Sequence, residues 1–214
     1  MGEVKKRPGL LYLAVETKSR KTNIGTILRC AVAFGCDALC IVGCNSFSTH
    51  GAHGSQSHIS ILHFYYWTDF QDFVKERGCP IYGIANQPDI HSSATSAAVT
   101  DFHHSAAFIV GNKNCELSPP QEEIVDHTVF VPFSGRSDVV YYVNIDVKVS
   151  ICLNYFAMTK DFSESSVEGE KYVVDSSRVR SKTVPHVSSG AVNSDRSNAE
   201  CAVSAANMFL ESDY

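Results

Sequence analysis

The stretch Lys21–Gly35, KTNIGTILRCAVAFG, combines a helix start, a polar face and a small-residue face within fifteen positions. Asn23 is of a type that caps helices, and Gly25 allows another chain or a ligand to approach the backbone closely. Arg29 lies about a turn and a half along the helix from Asn23. The far side of the helix carries three small residues: Ala31, Ala33 and Gly35. Local physics leaves two interpretations open, an ordinary capped helix with a solvated arginine or a functional site.

The pattern N-x-G-x-(I/L)-x-R followed by A-x-A-F-G comes directly after an apolar strand predicted at Leu10–Val15. This order resembles the first motif of the SpoU (TrmH-like) branch of the SPOUT RNA ribose methyltransferases, and the resemblance runs from about Leu10 to about Asp175. It implies an α/β domain with a parallel sheet, helices on both faces and a C-terminal trefoil knot. It also implies a homodimer that binds S-adenosylmethionine and methylates a ribose 2′-hydroxyl of tRNA or rRNA.

Two further segments are similar to the family's cofactor motifs. In GNKNCEL, Gly111–Leu117, the Gly111, Asn112 and Leu117 positions match, whereas Lys113 replaces a glutamate, and Asn114 and Glu116 replace two glycines. The third motif, S-L-N-(V/I), aligns on YVNI with Tyr142 in place of serine. The residues that the resemblance places at the cofactor are Val110, Gly111, Asn112, Val131, Pro132, Tyr142 and Asn144.

The resemblance also implies a catalytic set, Asn23, Arg29 and Asn144, around the reacting hydroxyl. Arginine stays protonated, so we assign Arg29 to anchoring a phosphate and stabilising a developing alkoxide, whereas the family view gives it the proton-abstracting role. An intact first motif beside altered second and third motifs also fits an alternative. That alternative is a catalytically silent RNA-binding member of the family.

Charge is distributed unevenly along the chain. Residues 1–29 carry seven basic side chains against two acidic ones, a local +5, whereas the whole chain carries −5 and the remainder therefore −10. A basic end facing a phosphate backbone fits RNA binding, although a solvated terminus explains the residues before the fold equally well. The glycine-rich loop Asn45–His58 is a second candidate for RNA contact. The predicted RNA-contacting residues are Lys18, Arg20, Lys21, Arg29 and Ser55.

Cysteine and histidine clusters suggest metal sites but do not have matching spacing. Cys36, Cys40 and Cys44 flank or lie in a predicted buried strand, Ala38–Val42, where residues four apart stand about 13 Å from one another. We therefore predict small buried thiols and no metal. The three histidines of the loop, His50, His53 and His58, have no cysteine partners at zinc-site spacing.

The chain divides into three parts by composition. We predict a basic segment at residues 1–9, the methyltransferase domain at 10–160, and a largely disordered tail at 161–214, which holds twelve serines. No apolar run approaches the length of a membrane span, and the first residues lack the apolar stretch of a secretory signal. These features predict a soluble intracellular protein without a membrane partner, in the cytoplasm first, with nucleus or organelle as alternatives.

Strands alternate with helices along the predicted domain, which indicates a parallel sheet. One segment gives conflicting signals: from Val143 to Leu153 every second residue is apolar, a strand pattern, whereas the resemblance predicts a helix over Asn144–Ala157. We adopt the helix. The other predicted elements are strands at Pro80–Ala85, Ala106–Val110 and Thr128–Pro132, a strand or buried connector at Ile59–Trp67, a helix at Thr68–Arg77 capped by Thr68, and a connection with little structure at Asn86–Thr100.

Overall fold

The computed structural model describes residues 9–18, 23–85, 93–111, 116–134, 143–160 and 162. These residues form one seven-stranded sheet with helices on both faces. The strands are β1 (Leu11–Thr17), β2 (Ala38–Gly43), β3 (Ser60–Phe64), β4 (Ile81–Ala85), β5 (Thr95–Ser96), β6 (Ala106–Val110) and β7 (His127–Phe130). The helices are α1 (Gly25–Ala33), α2 (Trp67–Lys75), α3 (Pro119–Glu122) and α4 (Ile145–Thr159), with a 3₁₀ turn at Ser55–Ser57.

Every strand pairs in parallel with its neighbours, in the order β3-β2-β1-β6-β4-β7-β5. The inner strands β4 and β6 are buried at every position, which explains why they read as unbroken apolar runs in the sequence. Parallel pairing places all carboxyl ends at one edge of the sheet. The loops that carry the predicted cofactor and catalytic residues leave from that edge.

Each face of the sheet is covered by its own apolar layer. One layer packs α1 and α4 onto the sheet through residues such as Leu28, Leu153 and Phe156. The opposite layer packs α2 through Phe70, Phe73 and Val74. The predicted α/β architecture with helices on both faces is thus confirmed. The knot stays a prediction, because residues 135–142, which lead into α4, lie outside the described ranges.

The helix that the resemblance predicts over Asn144–Ala157 is present, although the alternating apolar pattern of this segment indicated a strand. Asn144 is the N-cap of α4, and the helix continues to Thr159. Packing explains the mixed pattern, since Val149, Leu153 and Phe156 face the core, whereas Val147 is 42% exposed. An outer face that remains apolar hides the helical period from a simple count of polar and apolar residues.

Two local predictions were wrong, an open one is resolved, and one element was missed. The segment Asn86–Thr100 contains strand β5, which pairs with β7 at Thr95↔Val129, although residues 86–92 lie outside the described part. Tyr66 rather than Thr68 is the N-cap of α2. The ambiguous segment Ile59–Trp67 contains strand β3, and the short helix α3 was not predicted.

The cysteines pack as small apolar side chains in different places. Cys40 is fully buried within β2, whereas Cys36 precedes the strand and packs in the opposite core layer. The assumption that residues four apart would share one face therefore fails for this pair. Burial raises the pKa of the Cys40 thiol, so it stays protonated. Within the described residues, no group of three His, Cys, Asp or Glu side chains is arranged to hold a metal, and no helix is long and apolar enough to cross a bilayer.

Candidate functional site

The start of α1 is tied to the loop that follows β2. The Ile24 N–H donates to the Ser48 carbonyl oxygen at 2.9 Å, and Asn23 forms a parallel bridge with Ser48. Asn23 Oδ1 accepts the N–H of Gly25 at 3.0 Å, so Asn23 supports the helix start from one position before the N-cap, which is Ile24. Because Oδ1 is engaged, the exposed Asn23 side chain offers its Nδ2 donors to a substrate.

The close approach predicted at Gly25 is made by the chain's own loop. A Cβ atom at this position would lie 2.0 Å from the His50 carbonyl oxygen and 3.0 Å from the Ala52 nitrogen. The same loop is closed by Ser55, whose hydroxyl donates to the Ala52 carbonyl at 2.7 Å. Gly25 is therefore where the histidine-bearing loop docks on the helix that carries Arg29.

Arg29 is exposed on α1 and makes no hydrogen bond or ion pair with any residue in the described part of the chain. It borders a shallow surface depression of about 300 Å³ between α1 and the first turns of α4. The other residues that line this depression are Thr26, Cys30, Ala33, Phe34, Asp146 and Ser150. The fold thus places an unpaired guanidinium beside the helix that Asn144 begins.

A small hydrogen-bonded cluster holds α1 against α4 beneath Arg29. The Ser150 hydroxyl lies 3.0 Å from Cys30 Sγ and 2.8 Å from the Asp146 carbonyl oxygen, which accepts from it. Burial raises the pKa of the Cys30 thiol, although the Ser150 hydrogen bond partly opposes this shift. A neutral thiol here is a structural contact rather than a nucleophile. We did not single out these residues from the sequence, where only the i, i+4 spacing of Asp146 and Ser150 hints at a shared helix face.

The predicted cofactor residues lie at the carboxyl edge of the sheet. The strands β6 and β7 flank β4, with Val110 at the end of β6 opposite Ile84 and Val131 one residue beyond the pairing of β7 with Ala85. Val110 and Val131 are buried, Gly111 is half-buried, and Pro132 is exposed. Asn144 is exposed at the start of α4 and makes no side-chain capping bond. Asn112, Lys113 and Tyr142 lie outside the described residues.

These residues fit an adenosyl group in the part of the site that the structure describes. Ligands of open α/β sheets bind outside the carboxyl ends of the strands, and an uncharged purine needs apolar walls with main-chain polar groups. Val110 and Val131 lie at this edge, with their side chains packed in the apolar core beneath it. Gln121 is 1% exposed, and its Nε2 donates to the Val110 carbonyl at 3.1 Å, which fixes the point where the cofactor loop leaves β6.

The predicted RNA-contacting residues are only partly described. Lys18 has a side chain that is 66% exposed, and its Nζ lies 3.6 Å from Glu16 Oε2. Ser55 is half-buried, and its hydroxyl is engaged within its own loop. Arg20 and Lys21 lie outside the described ranges. An exposed side chain that lines the same depression as Arg29 is instead that of Thr26.

A model of the SpoU rRNA Methylase family matches residues 10–154, which is more than half of the chain. The match covers β1 with α1, the strand ends of the sheet and most of α4. No curated protein sequence matches the chain.

Solved structures of this family have a similar fold. The SpoU methyltransferase AviRb from Streptomyces viridochromogenes, in complex with the cofactor AdoMet, is 19% identical with a TM-score of 0.58, over 75% of this chain and 64% of that chain. The A. aeolicus TrmH/SpoU tRNA modifying enzyme is 19% identical with a TM-score of 0.57, over 75% of this chain and 79% of that chain. The AdoMet-bound rRNA methyltransferase from Sinorhizobium meliloti is 19% identical with a TM-score of 0.55, over 70% and 56%. This chain spans less than two thirds of the Streptomyces and Sinorhizobium proteins.

Proposed function

Because the chain belongs to the SpoU rRNA methylase family, we propose that it is an S-adenosylmethionine-dependent RNA methyltransferase that modifies a ribose 2′-hydroxyl of tRNA or rRNA. The observation that supports this most is the exposed guanidinium of Arg29, which is without an ion-pair partner among the described residues and lies beside the start of α4. The guanidinium of Arg29 is permanently charged and exposed near the edge of the sheet, so it is suited to binding an anionic partner.

The residues of the site have separate roles in this proposal. Arg29 anchors a backbone phosphate and stabilises negative charge that develops on the attacking oxygen. Asn23, whose Oδ1 is held by Gly25, donates from Nδ2 to orient the ribose, and Asn144 does the same from the start of α4. S-adenosylmethionine would supply an electrophilic methyl group, held between Gly111, Val131 and Asn144.

Calorimetric titration with S-adenosylmethionine tests the cofactor assignment directly. We expect binding with a dissociation constant in the micromolar range, because apolar strand ends and main-chain groups already form part of the site. An Asn144→Ala variant should bind about tenfold more weakly, since it removes one side-chain hydrogen-bonding group from the exposed start of α4 without disturbing the core. Absence of heat at millimolar ligand would instead favour the catalytically silent RNA-binding alternative.

We further propose that the chain forms a homodimer through α4. An outward stripe on this helix, Val147, Ile151, Tyr155 and Met158, follows helical spacing. Val147 is 42% exposed and Met158 is 71% exposed. A helix that is apolar on its outward face as well as on its core face typically packs against a second molecule. Ala31, on the small-residue face of α1, takes no part in this interface, because it is fully buried in the core of its own chain.

Replacing Met158 by glutamate tests this dimer. We expect the wild type to have a dimeric mass by light scattering at micromolar concentration, and the Met158→Glu variant to be monomeric, because a buried unpaired charge opposes association. Lys75→Glu is the control, since Lys75 is exposed on α2, which packs on the opposite face of the sheet from α4. A monomeric wild type, or a dimer that tolerates Met158→Glu, would contradict the proposed interface.

A further inference from the structure

A second depression lies on the opposite face of the sheet from Arg29, at the carboxyl ends of β1 and β2. It has a volume of about 300 Å³, and its lining includes Glu16, Tyr65, Tyr66, Trp67 and Glu123. We propose that this aromatic groove binds one unpaired nucleobase of a single-stranded RNA segment. The proposal rests on the proposed RNA methyltransferase function and adds a contact that the site around Arg29 does not contain.

Three consecutive aromatic residues form the core of the aromatic groove. Tyr66 is 53% exposed, whereas Trp67 is only 6% exposed and is held edge-on against Phe70 at a centroid distance of 5.8 Å. A fixed ring beside an accessible ring is what a stacking platform for bases requires, because every base has an aromatic face. The Trp67 indole nitrogen is buried and donates to no described residue, so Trp67 contributes its ring to the groove rather than a hydrogen bond.

Charges around the aromatic groove favour a base over a phosphate. Glu16 and Glu123 place two carboxylates in its wall, and these repel phosphate but accept hydrogen bonds from the amino groups of bases. Lys18 stands at the rim, with its Nζ 3.6 Å from Glu16 Oε2 and its side chain 66% exposed. This arrangement fits a base inside the groove and its phosphate at Lys18. Bases with an exocyclic amino group should therefore bind better than uracil.

The aromatic groove also lies within reach of the proposed catalytic residues. Glu16 and Asn23 are only seven positions apart in the sequence, which limits the distance between their Cα atoms to about 25 Å. A short single-stranded segment that crosses the edge of the sheet would contact both places. The groove would then select the nucleotides that flank the target, while Arg29 contacts the target itself.

Intrinsic fluorescence tests this proposal, because Trp67 is the chain's single tryptophan. We expect short oligo(A) and oligo(C) RNAs to quench Trp67 saturably, and oligo(U) to bind more weakly. Tyr66→Ala should weaken oligo(C) binding by about tenfold or more, whereas Tyr66→Phe, which keeps the ring, should bind as the wild type does. Val99→Ala serves as the control for removing an exposed apolar side chain elsewhere, and far-UV circular dichroism checks that each variant is folded.

The outcomes separate this proposal from the proposed function. If oligonucleotides do not quench Trp67, or if Tyr66→Ala binds like the wild type, the groove is not a base site even where methylation is observed. If Tyr66→Ala changes only the mass measured by light scattering, the groove is a protein contact and the proposal is also overturned. If quenching behaves as expected but S-adenosylmethionine gives no heat, the groove stands and the methyltransferase assignment fails.

Discussion

Arg29→Ala is expected to lower RNA methylation by about a hundredfold or more while leaving the fold intact, because removing one preorganised charge-stabilising donor typically costs that much. The side chain is exposed and makes no hydrogen bond or ion pair with the described residues, so its loss breaks no polar contact in that part of the chain. The measurement is transfer of labelled methyl from S-adenosylmethionine to tRNA and rRNA. Affinity for S-adenosylmethionine should stay close to the wild-type value, since the predicted cofactor residues lie on other elements.

Arg77→Ala provides a matched control for Arg29→Ala. Arg77 stacks over the Phe73 ring at 3.7 Å and donates from Nη1 to the Phe73 carbonyl at 2.7 Å, on the opposite face of the sheet. Its removal should lower stability by about 1 kcal/mol and leave methylation unchanged. Equal methylation by Arg29→Ala and the wild type would remove Arg29 from the mechanism. Rescue by Arg29→Lys would show that charge alone is required and not the planar guanidinium.

The strands were predictable because they are buried on both faces, which leaves unbroken apolar runs such as β6. The resemblance resolved α4, where periodicity alone indicated a strand. The predictions that were wrong concern features that depend on contacts between residues distant in the sequence, which no local pattern indicates. Strand β5 has only two residues, and its structure comes from pairing with β7. Cys36 and Cys40 separate into opposite layers because the strand begins between them, at Ala38.

The sequence predicted which residues belong to the candidate site better than it predicted which residues contact them. The first motif identified Asn23 and Arg29 from spacing, and the structure positions Asn23 just before the N-cap of α1 and Arg29 in the middle of that helix. The contact of Ser150 with Cys30 joins residues 120 positions apart, so only the folded chain reveals it. The aromatic groove combines β1, β2, α2 and α3 in the same way.

Gly25→Ala is expected to destabilise the protein and reduce methylation, although a substitution of glycine by alanine in a helix is normally favourable. Alanine gains about 1 kcal/mol over glycine in a helix interior. At this position, however, its Cβ would lie 2.0 Å from the His50 carbonyl oxygen and 2.8 Å from the His50 carbonyl carbon. Both are backbone atoms, so no side-chain rotation relieves the clash, and the loop or the helix start must move. Overpacking of this kind costs about 1–3 kcal/mol, which exceeds the propensity gain.

That movement would also disturb the proposed catalytic residues. The hydrogen bond from the Ile24 N–H to the Ser48 carbonyl joins the two elements that would separate, and the one from the Gly25 N–H to Asn23 Oδ1 positions the Asn23 side chain at that junction. Thermal unfolding should show a lower midpoint for Gly25→Ala, and methylation should fall with it. Thr26→Ala, at the next and exposed position, is the control and should change the midpoint little. A Gly25→Ala variant that is more stable than the wild type would show that propensity prevails and that the loop is not held against α1.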